Sequence, residues 1–434
     1  MPEITITGIG SELQGVGRLS DGRAVFVPYT LPNERVHIEI TRETPRFAEA
    51  RLIEIIEPSA DRIAPACPYY GVCGGCVAQH MRYAASLELK RQKVENALKR
   101  IGGVGEPLVL PTIGSDNVYR CRNKAEYAVE IHDGAPVVGL REAKSRRVIP
   151  IGDCLLQTES SVRIMREMRK RLAGFGEAKH IRYLVTRTNR KGELTLTISC
   201  DAPLFKQISK LTDGLTEPIS VYFCRLNPHP THALDGVCTR VRGAETPSDE
   251  LLGLTFALSP QSFFQVNPRQ AERLYRKAFE AIDLNESMRL LDAYCGAGTI
   301  SLTAARLCGH VTGVEIVAPA IENAKENAMR NGLTDRAAFI CGDAAKVIPK
   351  RIADGERFDA AILDPPRKGA DRALLEALAK VEIPRIVYIS CDPATLARDV
   401  KILSANGYSF QWAQPVDMFP WTEHVESVVL MSRA

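Results

Sequence analysis

Cys391 follows the apolar run Arg385-Ile386-Val387-Tyr388-Ile389-Ser390, and Glu426 precedes the apolar run Val428-Val429-Leu430-Met431. A thiol at the end of one strand and a carboxylate at the start of another suit nucleophilic catalysis: a thiolate adds to an electron-poor carbon, and a base later removes a proton so that the thiol can leave. Carbon 5 of uracil needs this help, because it attacks a methyl donor only after a thiolate has added at carbon 6. His424 alternates onto the same face as Glu426 and competes for the role of base. Taken singly, a strand-end cysteine is more often a small buried hydrophobe, and a carboxylate such as Glu426 is more often on the surface. The assignment therefore depends on the elements that position the two.

From Leu290 onward, apolar strands alternate with amphipathic helices, the pattern of an α/β, doubly wound parallel sheet. Leu290-Leu291-Asp292-Ala293-Tyr294-Cys295-Gly296-Ala297-Gly298-Thr299 reads as a strand, a glycine turn and the start of a helix over 300–307. A lone Gly-x-Gly is weak evidence, but the context strengthens it. Val311-Thr312-Gly313-Val314 ends in Glu315, placed 23 residues after Asp292, where an acid meets ribose hydroxyls in such sheets. Ala338-Phe339-Ile340 leads to Asp343, placed to reach an adenine amine. A fourth strand over 358–363 ends in Asp364-Pro365-Pro366-Arg367, whose prolines stiffen the turn and aim Asp364 into the crevice. No third glycine completes an anion cradle, and the crevice supplies acids. That favours S-adenosylmethionine, whose sulfonium is positive, over NAD.

Three cysteines cluster as Cys67-x5-Cys73-x2-Cys76, with Gly74-Gly75 between the last two, and Cys154 lies far downstream. Four thiolates suit zinc or an iron-sulfur cluster, and the spacing does not separate them. It does not fit the Cys-x3-Cys-x2-Cys of a radical S-adenosylmethionine enzyme. The sequence starts without a basic, apolar leader, so the twelve cysteines are expected in the reducing cytosol, which disfavours a disulfide framework.

At 434 residues the chain predicts two or three domains, and no apolar stretch approaches the roughly 20 residues of a bilayer helix. Residues 1–58 alternate short apolar runs with Gly, Asp, Asn and Pro turns, as in a small β-barrel. Residues 59–258 form a mixed α+β region containing the cysteines, with a helix over 84–100 that places Leu87, Val94 and Leu98 on one side. Residues 259–434 hold the doubly wound sheet, and the stretch 84–115 is expected to pack on it. The net charge of +4 is too mild to establish a nucleic-acid partner. Local runs say more: between Arg163 and Lys191 stand ten Lys/Arg against two Asp/Glu, and a second basic run covers Arg82 to Arg100.

The cysteine set, Ser259-Pro260-Gln261-Ser262-Phe263-Phe264-Gln265-Val266-Asn267, Asp292 to Gly298, Asp364-Pro365-Pro366-Arg367, Ser390-Cys391-Asp392-Pro393 and His424-Val425-Glu426 together resemble the RNA 5-methyluridine methyltransferase family. Gly15-Val16-Gly17-Arg18, with Asp21-Gly22 and Phe26-Val27-Pro28, resembles a TRAM domain, although Asn33-Glu34 stands where that pattern usually has Gly-Glu. The barrel and cysteines resemble the RumA type, which acts on 23S ribosomal RNA. The resemblance implies a Rossmann-like class I methyltransferase sheet, an N-terminal TRAM/OB-like barrel and a central iron-sulfur domain. It implies Cys391 as nucleophile, Glu426 as base, cofactor contacts from Gln265, Tyr294, Glu315 and Asp364, and a 4Fe-4S cluster on Cys67, Cys73, Cys76 and Cys154. Thr299 replaces an Asn found in some relatives. The implied partner is RNA with a flipped uridine in a loop or single strand, bound through basic residues of the barrel and central domain, with no membrane and no obligate protein partner. Two rivals are an RNA 5-methylcytidine enzyme, disfavoured because Pro365-Pro366 stands where such enzymes place a Pro-Cys pair, and an inert iron-sulfur RNA-binding protein, disfavoured by the presence of both Cys391 and Glu426.

Overall fold

The computed structural model describes residues 2–244 and 247–433. Strands β1 (Glu3–Ile9), β2 (Gly15–Arg18), β3 (Ala24–Val27), β4 (Arg35–Glu43) and β5 (Phe47–Glu57) close into a barrel in the order β1-β2-β3-β5-β4. Period-two alternation turns Ile4, Ile6, Val25, Val27, Val36 and Ile38 inward to form its core. Asn33 adopts a left-handed φ of 69°, which explains why glycine suits that slot and why Asn is the side chain best able to replace it. The next residue, Glu34, is fully buried and accepts bonds from the Leu31 amide (2.8 Å), the Ser59 amide (3.2 Å) and the Arg62 guanidinium (2.8 Å). Arg62 also donates to the Tyr29 carbonyl (2.8 Å), clamping the barrel to the chain that leaves it.

Helix α1 (Tyr83–Arg100) buries Ser86, Lys90, Val94 and Leu98, one residue every fourth position. Leu87 is only half-buried, so the inner stripe is rotated from the one the apolar residues predict, and it carries a lysine. The central sheet contains β6 (Lys124–His132), β7 (Ala135–Arg141), β8 (Val148–Pro150), β9 (Ile181–Thr188), β10 (Leu194–Cys200), β11 (Pro218–Leu226) and β12 (Gly236–Gly243). Its order is β12-β11-β10-β9-β6-β7-β8, antiparallel except for β10 with β11. Helix α2 (Glu159–Ala173) is capped by Thr158 and packs Val162, Met165, Met168 and Leu172 into the core of this sheet, and the short α3 (Phe205–Leu211) adds Ile208.

A hairpin, β13 (Ser248–Leu251) and β14 (Leu254–Ala257), packs Leu251, Leu254 and Phe256 against the core of the third region, alongside Leu274 and Tyr275 of α4 (Pro268–Ile282). That region is built on β15 (Arg289–Ala293), β16 (His310–Glu315), β17 (Ala337–Cys341), β18 (Ala360–Leu363), β19 (Arg385–Ser390), β20 (Tyr408–Val416) and β21 (Glu426–Arg433). The order is β17-β16-β15-β18-β19-β21-β20, with the first five parallel and β21 antiparallel to both its neighbours. The intervening helices are α5 (Thr299–Ala305), α6 (Ala318–Arg330), α7 (Ala344–Ala353), α8 (Arg372–Lys380) and α9 (Pro393–Ser404). Val94 and Leu98 of α1 share a core with Leu396, Ala397 and Val400 of α9, so α1 packs on this sheet although its sequence lies between the barrel and the central strands. No helix among the described residues is long and apolar enough to cross a membrane.

Candidate active site

Strand register brings the singled-out residues together. Ala293 pairs with Val314 and Leu363, and Glu315 pairs with Cys341, so Tyr294, Glu315 and Asp364 lie along one carboxyl edge. Ser390 pairs with Ser427 in the antiparallel β19–β21 ladder, and one further step sets Cys391 opposite Glu426. Parallel strands leave their carboxyl ends as an open crevice, which is where such sheets bind ligands. The reversal of β21 is what delivers the amino end of the last strand, and with it Glu426, to that crevice.

Tyr294 sits at φ 68°, and its hydroxyl accepts from the Asp371 amide at 3.1 Å. Gly298 has φ 81°, and a Cβ there would stand 3.0 Å from the Phe339 ring, so conformation and space both call for glycine at the start of α5. Glu315 accepts from the amides of Gly296 (3.3 Å) and Val317 (2.9 Å), which fixes its carboxylate beside the glycine turn. Asp343 caps α7 through the Ala345 amide (3.1 Å). Gln265 is buried on the loop between β14 and α4, with its side chain hydrogen-bonded to Tyr275, whose hydroxyl also lies 3.3 Å from that of Thr299. Thr299 therefore belongs to the wall of the crevice. On the same loop Phe263 is 76% exposed, an orientation that the run Phe263-Phe264 does not disclose because its neighbour is buried.

The charges of this edge are unusual. Asp292 is fully buried, with Oδ2 held by the Ser301 hydroxyl at 2.5 Å and Oδ1 without a partner, and burial pushes its carboxyl up to about 7. Asp364 is likewise pushed up to about 7 by burial, and Glu426 up to about 8 by burial and then by Asp364, with Arg367 opposing. The Cys391 thiol rises to about 11, through burial and then the Glu426 and Asp364 carboxylates, again with Arg367 opposing. These carboxyls await a positive charge, which would favour their ionised forms. His424 is engaged by other partners: its Nε2 lies 3.3 Å from the Glu423 carboxylate, and its ring meets Phe419 edge-on. Glu426, and not His424, faces the thiol.

These shifts have a sign that stability measurements read. Glu426 and Asp364 hold protons in the folded state between their ordinary values near 4.5 and 3.8 and their folded values near 8 and 7, where the unfolded chain has released them. The folded state binds more protons, so stability falls as pH rises through that window, by at most about 1.4 kcal/mol per pH unit for each group. In ligand-free protein the melting temperature is therefore expected to drop less between pH 5 and pH 8 for Glu426→Gln than for the native chain. Equal drops would remove Glu426 as a buried, protonated carboxyl.

The segment leading into β21 is held from outside the sheet. Asp417 is fully buried and accepts from Lys90 Nζ at 2.5 Å and from the Tyr83 hydroxyl at 2.6 Å, while Lys90 also donates to the Phe419 carbonyl at 3.1 Å. Lys93 donates to the Glu423 carbonyl (2.8 Å), and the amides of Val77 and Ala78, next to Cys76, donate to the Trp421 carbonyl (2.9 and 3.1 Å). Sequence reasoning missed Lys90 and Asp417. A lysine inside a basic run reads as a solvated charge, and only the burial of its helix face reveals the pair.

The four cysteines of the cluster motif line a single cavity of about 790 Å³ with Tyr69, Tyr70, Gln79 and Arg122. Burial raises the Cys76 thiol to about 12 and pushes Cys73 and Cys154 upward, with the neighbouring cysteines adding to each shift. Gln79 Nε2 donates to Cys76 Sγ and the Gly75 amide to Cys73 Sγ, both at 3.4 Å. Among the described residues no group of three or more His, Cys, Asp or Glu is disposed to hold a metal ion.

Most cations of the basic run in the central domain already have partners within the chain. In the run from Arg163 to Lys191, Arg163 pairs with Glu217 (2.7 Å), Arg171 with Glu167 (2.9 Å), Arg190 with Glu272 (2.5 Å) and Lys191 with Glu250 (3.5 Å), and Arg182 pairs with Asp201. Arg166, Arg169 and Arg187 donate to backbone carbonyls, leaving Lys170 and Lys179. The barrel arginines Arg23, Arg35, Arg42 and Arg51 likewise meet carboxylates. A guanidinium fork serves internal carbonyls and carboxylates as readily as phosphates, and composition does not distinguish the two uses.

Residues 253–434 match the family described as tRNA (Uracil-5-)-methyltransferase, and residues 2–53 match the TRAM domain. A protein of Halalkalibacterium halodurans named an uncharacterized RNA methyltransferase is 38% identical over 442 residues, covering 99% of this chain and 96% of its own length. The chain belongs to the RNA uracil-5-methyltransferase family. A similarly named relative from Clostridium tetani is 39% identical over 98% of this chain and 95% of its own. Among solved structures, the Pyrococcus abyssi tRNA (uracil-54, C5)-methyltransferase in complex with S-adenosyl-L-homocysteine aligns with a TM-score of 0.78 and 27% identity, covering 99% of this chain and all of that one. The sheet is that of a class I S-adenosylmethionine-dependent methyltransferase, joined to a TRAM barrel, and the enzyme methylates uracil carbon 5 in RNA.

Proposed function

We propose that the enzyme works through a covalent bond between Cys391 and carbon 6 of the target uracil, and that its substrate is a uridine of 23S ribosomal RNA. The observation that carries the mechanism is the register of β19 and β21, which faces a thiol with a buried carboxylate at the cofactor edge of the sheet. S-adenosylmethionine, when bound, supplies an electrophilic methyl on a positive sulfur, and the unpaired Asp292 Oδ1 with the raised Asp364 and Glu426 carboxyls fits such a cation. Tyr294, Glu315 and Asp343 line the cofactor side of the edge, Gln265 and Asp364 the side where the uracil edge enters. The target base leaves its stack, and exposed Phe263 offers it an aromatic face.

Cys391 releases its proton to solvent and reacts as the thiolate: its sulfur bonds to carbon 6 while the π pair of the carbon 5–carbon 6 bond moves into the enolate. Carbon 5 takes the methyl group as the donor's carbon–sulfur bond breaks. Glu426 then removes the carbon 5 proton, the double bond re-forms, and the Cys391 thiolate is expelled. The chemistry suits the cytosol, where thiols stay reduced.

Cys67, Cys73, Cys76 and Cys154 share one cavity without being drawn together as a metal-binding group, and on closing around it they would hold a 4Fe-4S cluster. Their common cavity, their all-sulfur donor set and the Arg122 cation lining the same space support that reading. The cluster is structural in this proposal, since methyl transfer moves no net electrons. The choice of 23S RNA rests on the likeness of barrel and cysteines to the RumA type. The second reading, transfer RNA, is favoured by the tRNA-acting structural relative. Anaerobic purification with an absorption spectrum and iron assay, then incubation with labelled S-adenosylmethionine and unmodified 23S or transfer RNA and nucleoside mass spectrometry, tests all three points. 5-Methyluridine in 23S RNA from iron-bearing protein is the expected result. The same product in transfer RNA alone selects the second reading, iron-free active protein removes the cluster, and 5-methylcytidine overturns the target base.

A further inference from the structure

The hairpin turn between β7 and β8 carries Lys144, Arg146 and Arg147, all exposed and none with an acid or carbonyl partner for its side chain among the described residues. No other stretch of the described residues brings three such free cations within four positions, because the longer basic runs are consumed internally. The turn is also rigid. The Glu142 amide donates to the Arg147 carbonyl (3.0 Å), the Ser145 amide to the Glu142 carbonyl (3.2 Å) and the Arg147 amide to the Ser145 hydroxyl (3.1 Å), while Arg141 reaches the Arg146 carbonyl. From behind, the Ala143 amide donates to the Val72 carbonyl (2.9 Å) and the Gly74 amide to the Arg141 carbonyl (3.1 Å), so the loop holding Cys73 braces the turn. The cavity shared by the cysteines reaches from Lys144 to Val266, the neighbour of Gln265.

We infer that the 144–147 turn is a preformed clamp for the RNA sugar-phosphate backbone, acting on the strand outside the flipped nucleotide. The inference rests on RNA being the substrate and adds where its backbone is gripped. The hydrogen-bonded turn holds the backbone in place, so only the three side chains are ordered on meeting phosphates, and each phosphate neutralised releases counterions. Single-stranded contacts give a salt slope near −0.7 per phosphate, so the turn accounts for a slope of about 2. Glu142 is the one acid within the turn, and it is half-buried whereas the three cations are exposed.

The test is the full-length Lys144→Gln/Arg146→Gln/Arg147→Gln variant, compared with Lys350→Gln/Lys380→Gln/Lys401→Gln, which removes the same charge from exposed, unpartnered positions on α7, α8 and α9. Binding of unmodified ribosomal RNA is measured from 50 to 300 mM salt, with methylation kinetics alongside. The turn variant is expected to bind at least about 10-fold more weakly, to lose about 2 from the salt slope and to raise KM with kcat unchanged, while the control variant keeps the native slope. Equal slopes in native and turn-variant protein overturn the inference, as does an equal loss in the control, which would report net charge alone. Failure of the native protein to bind or methylate RNA strikes the functional reading itself, and is distinguishable because it precedes any variant.

Discussion

Cys391→Ala is expected to abolish methyl transfer, by more than about 10⁴-fold, because carbon 5 of uracil gains its nucleophilicity only from the sulfur at carbon 6. Glu426→Gln is expected to fail differently. The glutamine preserves volume in a buried site and leaves Cys391 and the cofactor edge intact, so addition and methylation proceed once and elimination stalls. Turnover falls by about 10²–10⁴-fold, the usual worth of a positioned base. A protein–RNA adduct carrying the methyl label accumulates, and is read as a slow band on a denaturing gel. Cys391→Ala gives no such band. The two phenotypes separate nucleophile from base, which activity alone does not. Methylation by Cys391→Ala would sink the covalent mechanism, and an adduct that fails to accumulate in Glu426→Gln would transfer the base to another group.

Lys90→Met is expected to destabilise the catalytic region by about 3–5 kcal/mol, the cost of leaving a buried charge without its counter-ion. Asp417 would keep the Tyr83 hydroxyl but lose the ammonium, and the Phe419 carbonyl would lose its donor. Burial pushes the Lys90 amine below its ordinary range, with Asp417 opposing that shift. Asp417 follows Val416, which pairs with Glu426, so loosening the ion pair also frees the segment that delivers the base. The chain has two tryptophans, Trp412 and Trp421, and Trp421 stacks on Tyr119 and meets Tyr83 at a tilt. Urea unfolding followed by tryptophan fluorescence therefore reports the right region. Lys90→Met/Asp417→Asn is expected to cost less than the sum of its two single changes, because neither partner is left charged and alone. Additive costs would show that the two side chains do not act as a pair.

The site was legible where chemistry and strand order coincide. Glu315, Asp343, Asp364 and Cys391 each close an apolar strand or follow it, Asp292 lies one residue short of the end of its own, and parallel strands must gather such residues at one edge. Period-two alternation marked the barrel strands, and the glycine turn after β15 marked the cofactor edge. Glu426 was harder, since it opens its strand instead of closing it. It reaches the same edge only because β21 inserts antiparallel between β19 and β20, an arrangement that no local pattern encodes.

The sequence by itself determined the periodicity, the turn chemistry and the reactive side chains, because these depend on neighbours within a few residues. Tertiary structure alone decided which charges are spent. Lys90 is buried against Asp417, more than 300 positions away, and most of the Arg163–Lys191 run serves internal carbonyls and carboxylates, while Lys144, Arg146 and Arg147 remain free. The physical reason is that a charge is worth what surrounds it: desolvation and partner geometry set its energy, and both are properties of the packed chain.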